Sequence, residues 1–491
     1  MRKLLLLASC VLPALTFASP GTATTLEEAL VYSYRTNPGL QTQRDKLLAI
    51  DESYVQARAE FSPTLSVQVQ GDYSREHQGR EIRLQELQNS TSIPDYLEQN
   101  SVTGQLVVSQ PLYTSGRFAA DLKAADAGVR SGREALRTAE ANLLFNVIQV
   151  YTSVARDQEA LDIRTLNLSM LKHQVAETVA RQKAGEVTRT DVAQAEAQLA
   201  SEDALYQASV GQLNISRANY KAVVGTEADD LLPPPDIEGL PETFDAAIDS
   251  AERNNPDLRQ TIYNEQASKA RVYASRANGG PTLSAQLRGG YNGSAVPFTG
   301  HNLNKDVSLT ANLTIPLYSG GVQSSQVRQA LDQNYADQDS IEDVHRGVIQ
   351  NVSIAWNQML IAQAAVEAQQ RQVAAATIAF EGMRKEYSNG DRSTLDVLIA
   401  EETLRDAELA LISARHDQYV AKAAILQNMG WLELQNLVHK PRLYEPEDHL
   451  KNLDKPLTNS IAGLLRHVDG AAVPTIAPIR VTRKPATDKK Y

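Results

Sequence analysis

Cysteine is almost missing: the chain has one, Cys10, and nothing to bridge it to. A disulfide framework is therefore excluded, and stability must come from packing or assembly. Aromatic residues make up only 5%, which argues against one thick globular core. Proline is absent between Pro111 and Pro233 and between Pro316 and Pro441, so nothing there interrupts a helix. After the first two dozen residues no run of 18 apolar residues occurs, which leaves no candidate for a membrane-spanning helix. Basic charge is also short, with 48 Lys and Arg against 59 Asp and Glu. The net charge is −11, or −13 once Arg2 and Lys3 are set aside, so no basic nucleic-acid-binding face is expected. Such acidity is an ordinary solvated surface or, more pointedly, an anionic channel lining. The eight histidines are scattered singly, without metal-ligand spacing, and no cofactor is implied.

The N-terminus has the pattern of a secretory signal peptide over residues 1–23: basic "MRK", apolar "LLLLASCVLPALTFA", and a small residue, Ala18 or Ala23, at the cleavage point. "LASC", ending at Cys10, also matches a lipoprotein cleavage box. It follows only about six apolar residues and leaves a long apolar run behind it, which argues against lipidation.

The chain compared with itself is a repeat. "LEEALVYSYRTNPGL" at Leu26 matches "FDAAIDSAERNNPDL" at Phe244, and "RAEFSPTLSVQVQGDY" at Arg58 matches "RANGGPTLSAQLRGGY" at Arg276. "PLYTSG" at Pro111 matches "PLYSGG" at Pro316, and "AGEVTRTDVAQAEAQL" at Ala184 matches "NGDRSTLDVLIAEETL" at Asn389. The offset is 218 up to the strand and 205 from "PLY" onward, so the first half carries 13 extra residues between Tyr73 and Pro111. One repeat spans 24–232, a Pro-rich linker 233–243, and the second repeat 244–430. A peripheral segment, 431–468, and a disordered tail, 469–491, complete the reading.

Each half reads as helix, strand, loop, strand, very long helix, Gly-centred turn, helix. The long helices are expected at 115–185 and 322–387, and the returning ones at 190–225 and 394–430. In the second half an apolar stripe runs Ile341, Val344, Val348, Val352, Ala355, Met359, Ala362, Val366. Its seven steps cover 25 residues, about 3.57 each, between a straight helix and a coiled-coil seam. The matching stripe of the first half is broken only by Asp157. Helices of this length, roughly 100 Å at 1.5 Å per residue, fit no compact domain.

The expected strands, about 64–73, 101–113, 282–291 and 306–318, alternate apolar and polar residues. Leu65, Val67, Val69 and Tyr73 face one way; Ser66, Gln68, Gln70 and Asp72 face the other. Each is about ten residues, long enough to cross an outer membrane when tilted, and ends near a tyrosine. A sandwich with one wet face is the plainer reading, but two hairpins separated by 200 helical residues make a poor one. In lipid an open sheet edge is forbidden, and four strands cannot close. Hairpins must then be pooled between copies: two copies would give eight strands and a plugged lumen, three would give twelve with room for water. The fold class is mainly α with a membrane β-barrel.

The two "NP" helix starts (Asn37-Pro38 and Asn255-Pro256), the two "PLY" strand ends and the turns at Gly185 and Gly390, in this order, resemble the TolC family of outer-membrane channel-tunnels. The resemblance runs from about Leu26 to Leu443. It implies a homotrimer with a twelve-stranded barrel in the outer-membrane lipid of a Gram-negative bacterium and a long helical tunnel in the periplasm. It also implies two partners, a periplasmic adaptor and an inner-membrane transporter, either ABC-type or proton-driven, and no enzymatic activity. By the same resemblance, Thr190, Asp191, Tyr387 and Arg392 form an iris of bonds at the tunnel tip, with Asp191 accepting from Tyr387 and Arg392. Capping of the returning helix is the alternative for Thr190 and Asp191. Asp396 matches a cation-binding ring at the constriction; Ile399 stands where a second acidic residue would be, and Glu401 and Glu402 read as a solvated face. Ala184-Gly185-Glu186 and Asn389-Gly390-Asp391 match adaptor-docking tips.

An enzyme finds little support. "GGPTLSAQLRGGYNG" suggests a phosphate loop but lacks its lysine and runs from helix into strand. The better rival is a periplasmic coiled-coil adaptor, which would carry one helical hairpin and β-rich globular domains rather than two hairpins and membrane-type strands.

Overall fold

The computed structural model describes residues 24–77, 96–228, 231–294, 303–389, 391–453 and 459–474. The signal segment with Cys10, most of the inserted loop, Gly390 and the tail from residue 475 lie outside the described residues. In chain order the elements are α1 (Leu26–Thr36), α2 (Pro38–Ala59), β1 (Thr64–His77), β2 (Tyr96–Tyr113), α3 (Arg117–Lys183), α4 (Arg189–Val224), α5 (Phe244–Asn254), α6 (Pro256–Ala277), β3 (Thr282–Gly293), β4 (Asn304–Thr314), α7 (Val322–Ser388) and α8 (Thr394–Asn428). Three short helices follow: α9 (Leu434–Leu437), α10 (Glu447–Leu453) and α11 (Asn459–Gly470).

The "NP" pairs divide what the periodicity reads as single helices. Asn37 sits in extended conformation (ψ 121°) because the following proline ring forbids helical geometry to the residue before it. In the second repeat Asn255 plays the same part. Its Oδ1 accepts from the amides of Asp257 and Leu258, at 3.0 and 3.1 Å, and so caps α6.

The long helices α3 and α7 are 67 residues each. Their stripes are largely buried: Val348 is 6% exposed and Val352 1%, and their counterparts in α3, Leu143 and Val147, are 9% and 0%. Asp157, the one polar break, is buried as well, at 5%. It is tolerated because Arg156 (2.7 Å), the Ser216 hydroxyl and Gln212 Nε2 (3.4 Å) all donate to it.

Packing contacts divide the chain into two units, and each long helix contributes to both. One unit comprises Met1–Pro38, Glu140–Ile248 and Asn351–Leu443. Its interior includes Leu144, Ile148, Tyr151 and Tyr220, and the Tyr151 hydroxyl lies 2.9 Å from the Thr24 carbonyl and 2.7 Å from that of Leu232. The other comprises Gly39–Ala139, Asp249–Gln350 and Tyr444–Tyr491. It holds the sheet, antiparallel in the order β1-β2-β3-β4, so that β1 and β4 are its outer strands. The apolar face is open: Val67 is 73% exposed, Val69 75%, Val307 78% and Leu309 76%. On the other face Val107, opposite Ser66 and Arg288, is buried at 7%.

Composition assigns Asp469 to the start of a disordered tail; the structure corrects this. Asp469 is 2% exposed and accepts from the amides of Thr114 (2.9 Å), Gly116 (3.0 Å) and Ala119 (3.3 Å) and from the Thr114 hydroxyl (3.0 Å). The first turn of α3 leaves those amides without helical partners, and the carboxylate at the end of α11 supplies them. Leu465 and Val473 hold it there by packing with Phe61, Phe118 and Ala274.

Candidate functional site

The two helical turns are built alike. At the first, Gly185 has φ +82° and its amide reaches the Gln182 carbonyl, while the Glu186 amide reaches back to the Arg181 carbonyl at 3.0 Å. That six-to-one bond is the glycine-dependent way of ending a helix. At the second, the Asp391 amide reaches the Glu386 carbonyl, also at 3.0 Å.

Each returning helix then opens with a capping box. Thr188 caps α4: its hydroxyl accepts from the Asp191 amide (3.3 Å), while Asp191 Oδ2 accepts from the Thr188 amide (2.7 Å) and hydroxyl (2.8 Å). Ser393 and Asp396 repeat this on α8, at 3.3, 3.1 and 2.9 Å. The Thr188 amide and hydroxyl hold the Asp191 carboxyl below the usual carboxylate range. The Ser393 hydroxyl and amide do the same for Asp396, with Arg392 adding to the effect.

Within one chain Asp191, Tyr387 and Arg392 make other bonds than those expected of the iris. Among the described residues Asp191 bonds neither Tyr387 nor Arg392, because its carboxylate is spent on its own helix start. Capping by Asp191 is what the structure shows, with Thr188 rather than Thr190 as the cap; Thr190 is exposed. Arg392 pairs with Glu386 instead, at 2.8 Å. Tyr387 does bridge the two hairpins, through a residue that sequence reading missed. Arg181 Nη1, near the end of α3, donates to the Tyr387 hydroxyl at 2.7 Å, and its guanidinium carbon lies 5.2 Å from the ring centroid. Thr394, from α8, reaches the same hydroxyl at 3.5 Å.

Arg181 also pairs with Glu186 across the first turn, at 3.1 Å. The repeat counterpart of Arg181 is Glu386, which pairs with Arg392, one position beyond the counterpart of Glu186, so each turn is spanned by an ion pair and the order of charges is reversed. These pairings hold both guanidiniums firmly charged. A charged residue on each side of the Gly185 turn was the available signal for Arg181.

Ala184, Gly185, Glu186, Asn389 and Asp391 are all exposed, and Gly390 lies outside the described residues. Ile399, one turn beyond Asp396, is 52% exposed. Glu402 is exposed as expected, whereas Glu401 is buried at 8%. It faces inward beside Arg405, which is drawn in by Glu202: that glutamate, 1% exposed, lies 3.2 Å from Arg164 and 3.6 Å from Arg405.

A sheet with apolar faces and two open outer strands, joined in one chain to helical hairpins of this length, defines a subunit of an outer-membrane channel. A family model described as "Outer membrane efflux protein" matches residues 33–226 and 247–430, one stretch in each repeat, and the chain belongs to that family. It is 31% identical to the outer membrane efflux protein BepC of Brucella suis over 432 residues, covering 87% of this chain and 90% of that one. To the outer membrane protein TolC of Escherichia coli it is 23% identical, covering 94% and 93%. Among solved structures, a membrane protein from Pseudomonas aeruginosa superposes with TM-score 0.72 at 19% identity, covering 82% of this chain and 93% of that one. The chain is accordingly an outer-membrane exit duct of the kind used by tripartite export systems, resident in the Gram-negative outer membrane. The periplasmic-adaptor alternative is set aside, since the match takes in both repeats.

Proposed function

We propose that three copies assemble into the duct, with the four strands of each contributing to a twelve-stranded barrel, and that the paired turns form a closable tip. A periplasmic adaptor engages Ala184–Glu186 and Asn389–Asp391, and an inner-membrane transporter, ABC-type or proton-driven, feeds the tunnel. The observation that carries the gate is the bond from Arg181 to Tyr387, which ties the end of α3 to the end of α7. Thr394 extends the tie to α8, while the cross-turn pairs Arg181–Glu186 and Glu386–Arg392 stiffen each turn. The cross-turn ion pairs are half-exposed or exposed and individually weak, and only Thr394, at 8% exposure, is buried, which suits a closure that a partner must undo. Asp191 serves it indirectly, by fixing where α4 begins, and Thr190 lies on that same first turn. Asp396, held ionised by Ser393, supplies one carboxylate per copy, and three of them make an anionic ring that favours cations.

Single-channel recording in planar bilayers tests this. Arg181→Ala and Tyr387→Phe are each expected to raise conductance, as is Arg392→Ala, and Asp396→Asn to lower cation selectivity without opening the tip. Unchanged conductance in Arg181→Ala and Tyr387→Phe would remove the gate from these residues. Heat-resistant trimeric migration of purified outer-membrane material tests the stoichiometry separately.

A further inference from the structure

The two helical hairpins of one chain leave a space where they meet. Between α3, α7 and α8, all within the unit that holds Tyr151, lies a cavity of about 520 Å³, a size typical of small-molecule sites. One wall is a single face of α8, where Glu401, Arg405 and Glu408 follow at intervals of four and three. The facing wall, from α3, carries Leu166, Asn167 and Met170, and α7 adds Phe380.

Three polar side chains of this lining are more than nine-tenths buried: Asn167 is 6% exposed, Glu401 8% and Arg405 5%. Among the described residues Asn167 Nδ2, Glu401 Oε1 and Arg405 Nε have no hydrogen-bond partner. Glu202 does not make good the lack, because it meets Arg405 through Nη1, at 3.6 Å. A buried polar atom left unpaired destabilises a fold, so three around one cavity point to a molecule that supplies their partners.

The missing partners state the chemistry. Glu401 Oε1 needs a donor; Asn167 Nδ2 and Arg405 Nε need an acceptor. Burial pushes the carboxyls of Glu401 and Glu408 up, and Arg405 offsets this only in part, so an added positive charge is favoured beside them. We infer that the cavity binds an amphipathic organic cation. Its ammonium donates to Glu401, a hydroxyl or ether oxygen accepts from Asn167 and Arg405, and its apolar body lies against Leu166, Met170 and Phe380.

Leu166 and Met170, 66% and 43% exposed, leave the apolar side of the cavity open to solvent, so a ligand has a way in. The repeat does not encode the site twice. The counterparts of Leu166, Met170 and Arg405 are Arg371, Ala375 and Ala200, which fixes the expected stoichiometry at one molecule per chain. The lining also accounts for a carboxylate that the tip does not use: Glu401 is buried at a cost, and a bound cation would offset it. Because one chain builds the whole site, the inference goes beyond the exit-duct reading and depends on neither the gate nor the barrel.

Equilibrium dialysis of the purified full chain in detergent tests the site, with uptake by protein-free micelles subtracted. The probe is propranolol, a naphthyl ether carrying a hydroxyl and a secondary ammonium; the comparator is its diol analogue, in which a hydroxyl replaces the amine. Propranolol is expected to saturate at one molecule per chain, and the diol to bind far more weakly. Glu401→Gln keeps the shape and removes the charge, and is expected to weaken propranolol about tenfold or more, the loss of one charged hydrogen bond. Glu402→Gln, at the exposed neighbour, is expected to leave the affinity unchanged. Should Glu401→Gln fail to assemble, Asn167→Leu, which removes the donor at similar size, carries the same comparison and is expected to weaken binding too. No saturable binding to the parent, as when a neighbouring copy fills the cavity, overturns the inference. So does a diol bound as tightly as the cation, or undiminished binding in the cavity variant that assembles.

Discussion

Asp191 and Asp396 occupy the same position of the two repeats, 205 residues apart, and each closes a capping box with the hydroxyl residue three positions before it. The family resemblance assigns them different duties, one to an iris and one to a cation ring, yet their local chemistry is identical. Both carboxyls titrate below the ordinary value of 3.8. A carboxyl depressed by folding adds stability above its unfolded value and loses it as pH falls through the folded one. Amide exchange over the starts of α4 and α8, corrected for intrinsic rates, is therefore expected to stay slow from pH 7 down to about 4 and to quicken only below that. In Asp191→Ala the start of α4 should exchange fast throughout, and the start of α8 should not change.

A second expectation concerns the far end of the chain. Asp469 satisfies three amides and a hydroxyl at the start of α3, so Asp469→Ala strands buried donors. A loss of about 1–3 kcal/mol is expected, read as a lower denaturant midpoint of the assembled protein. Truncation after Gly470, which keeps Asp469 but removes Val473, should cost less than the point substitution.

The repeat, the strand faces and the unbroken long helices are legible because each is a local pattern: period two, period near 3.6, and proline missing over more than a hundred residues. What escaped reading has partners far away in the chain. Arg181 and Tyr387 are 206 residues apart, and the repeat aligns Arg181 with Glu386, its opposite in charge, so self-comparison hides the pairing. Asp469 lies 355 residues from Thr114 in a segment whose composition reads as tail. Asp191 is legible as a helix-start residue, but which group its carboxylate accepts from is not, since the cap and the tip compete for the same carboxylate and within one chain Thr188 takes it. Glu401 reads as solvated because helical position alone does not reveal which face a second hairpin covers.

A third expectation follows from Glu202. It is buried between Arg164 of α3 and Arg405 of α8, so three helices meet on one carboxylate. Removing a single member of a buried ion group leaves the others charged and unpaired, at a cost of about 3–5 kcal/mol. Glu202→Ala should show that loss in the denaturant midpoint. If the triad is valued for register more than for energy, replacing all three residues with apolar ones of similar size should recover most of the midpoint while altering single-channel conductance.

Glu401 turns the same neighbourhood into a pH dependence of the opposite sign from that of the capping boxes. Burial raises its pKa, and Arg405 and then Arg384 offset this only in part. A carboxyl raised by folding is destabilising when ionised: the chain gains stability as pH falls toward the folded value and pays the cost of a buried charge above it. Glu408, also raised by burial, acts in the same sense. The charges around Glu401 are Arg405 on its own helix, Glu202 on α4 and Arg384 on α7. Glu401→Gln removes the titrating group while keeping its shape. It is expected to raise the thermal midpoint at pH 8 and to leave it nearly unchanged at pH 4, flattening the curve between. A variant as pH-dependent as the parent would assign the dependence to Glu408, and Glu408→Gln would then carry the flattening alone.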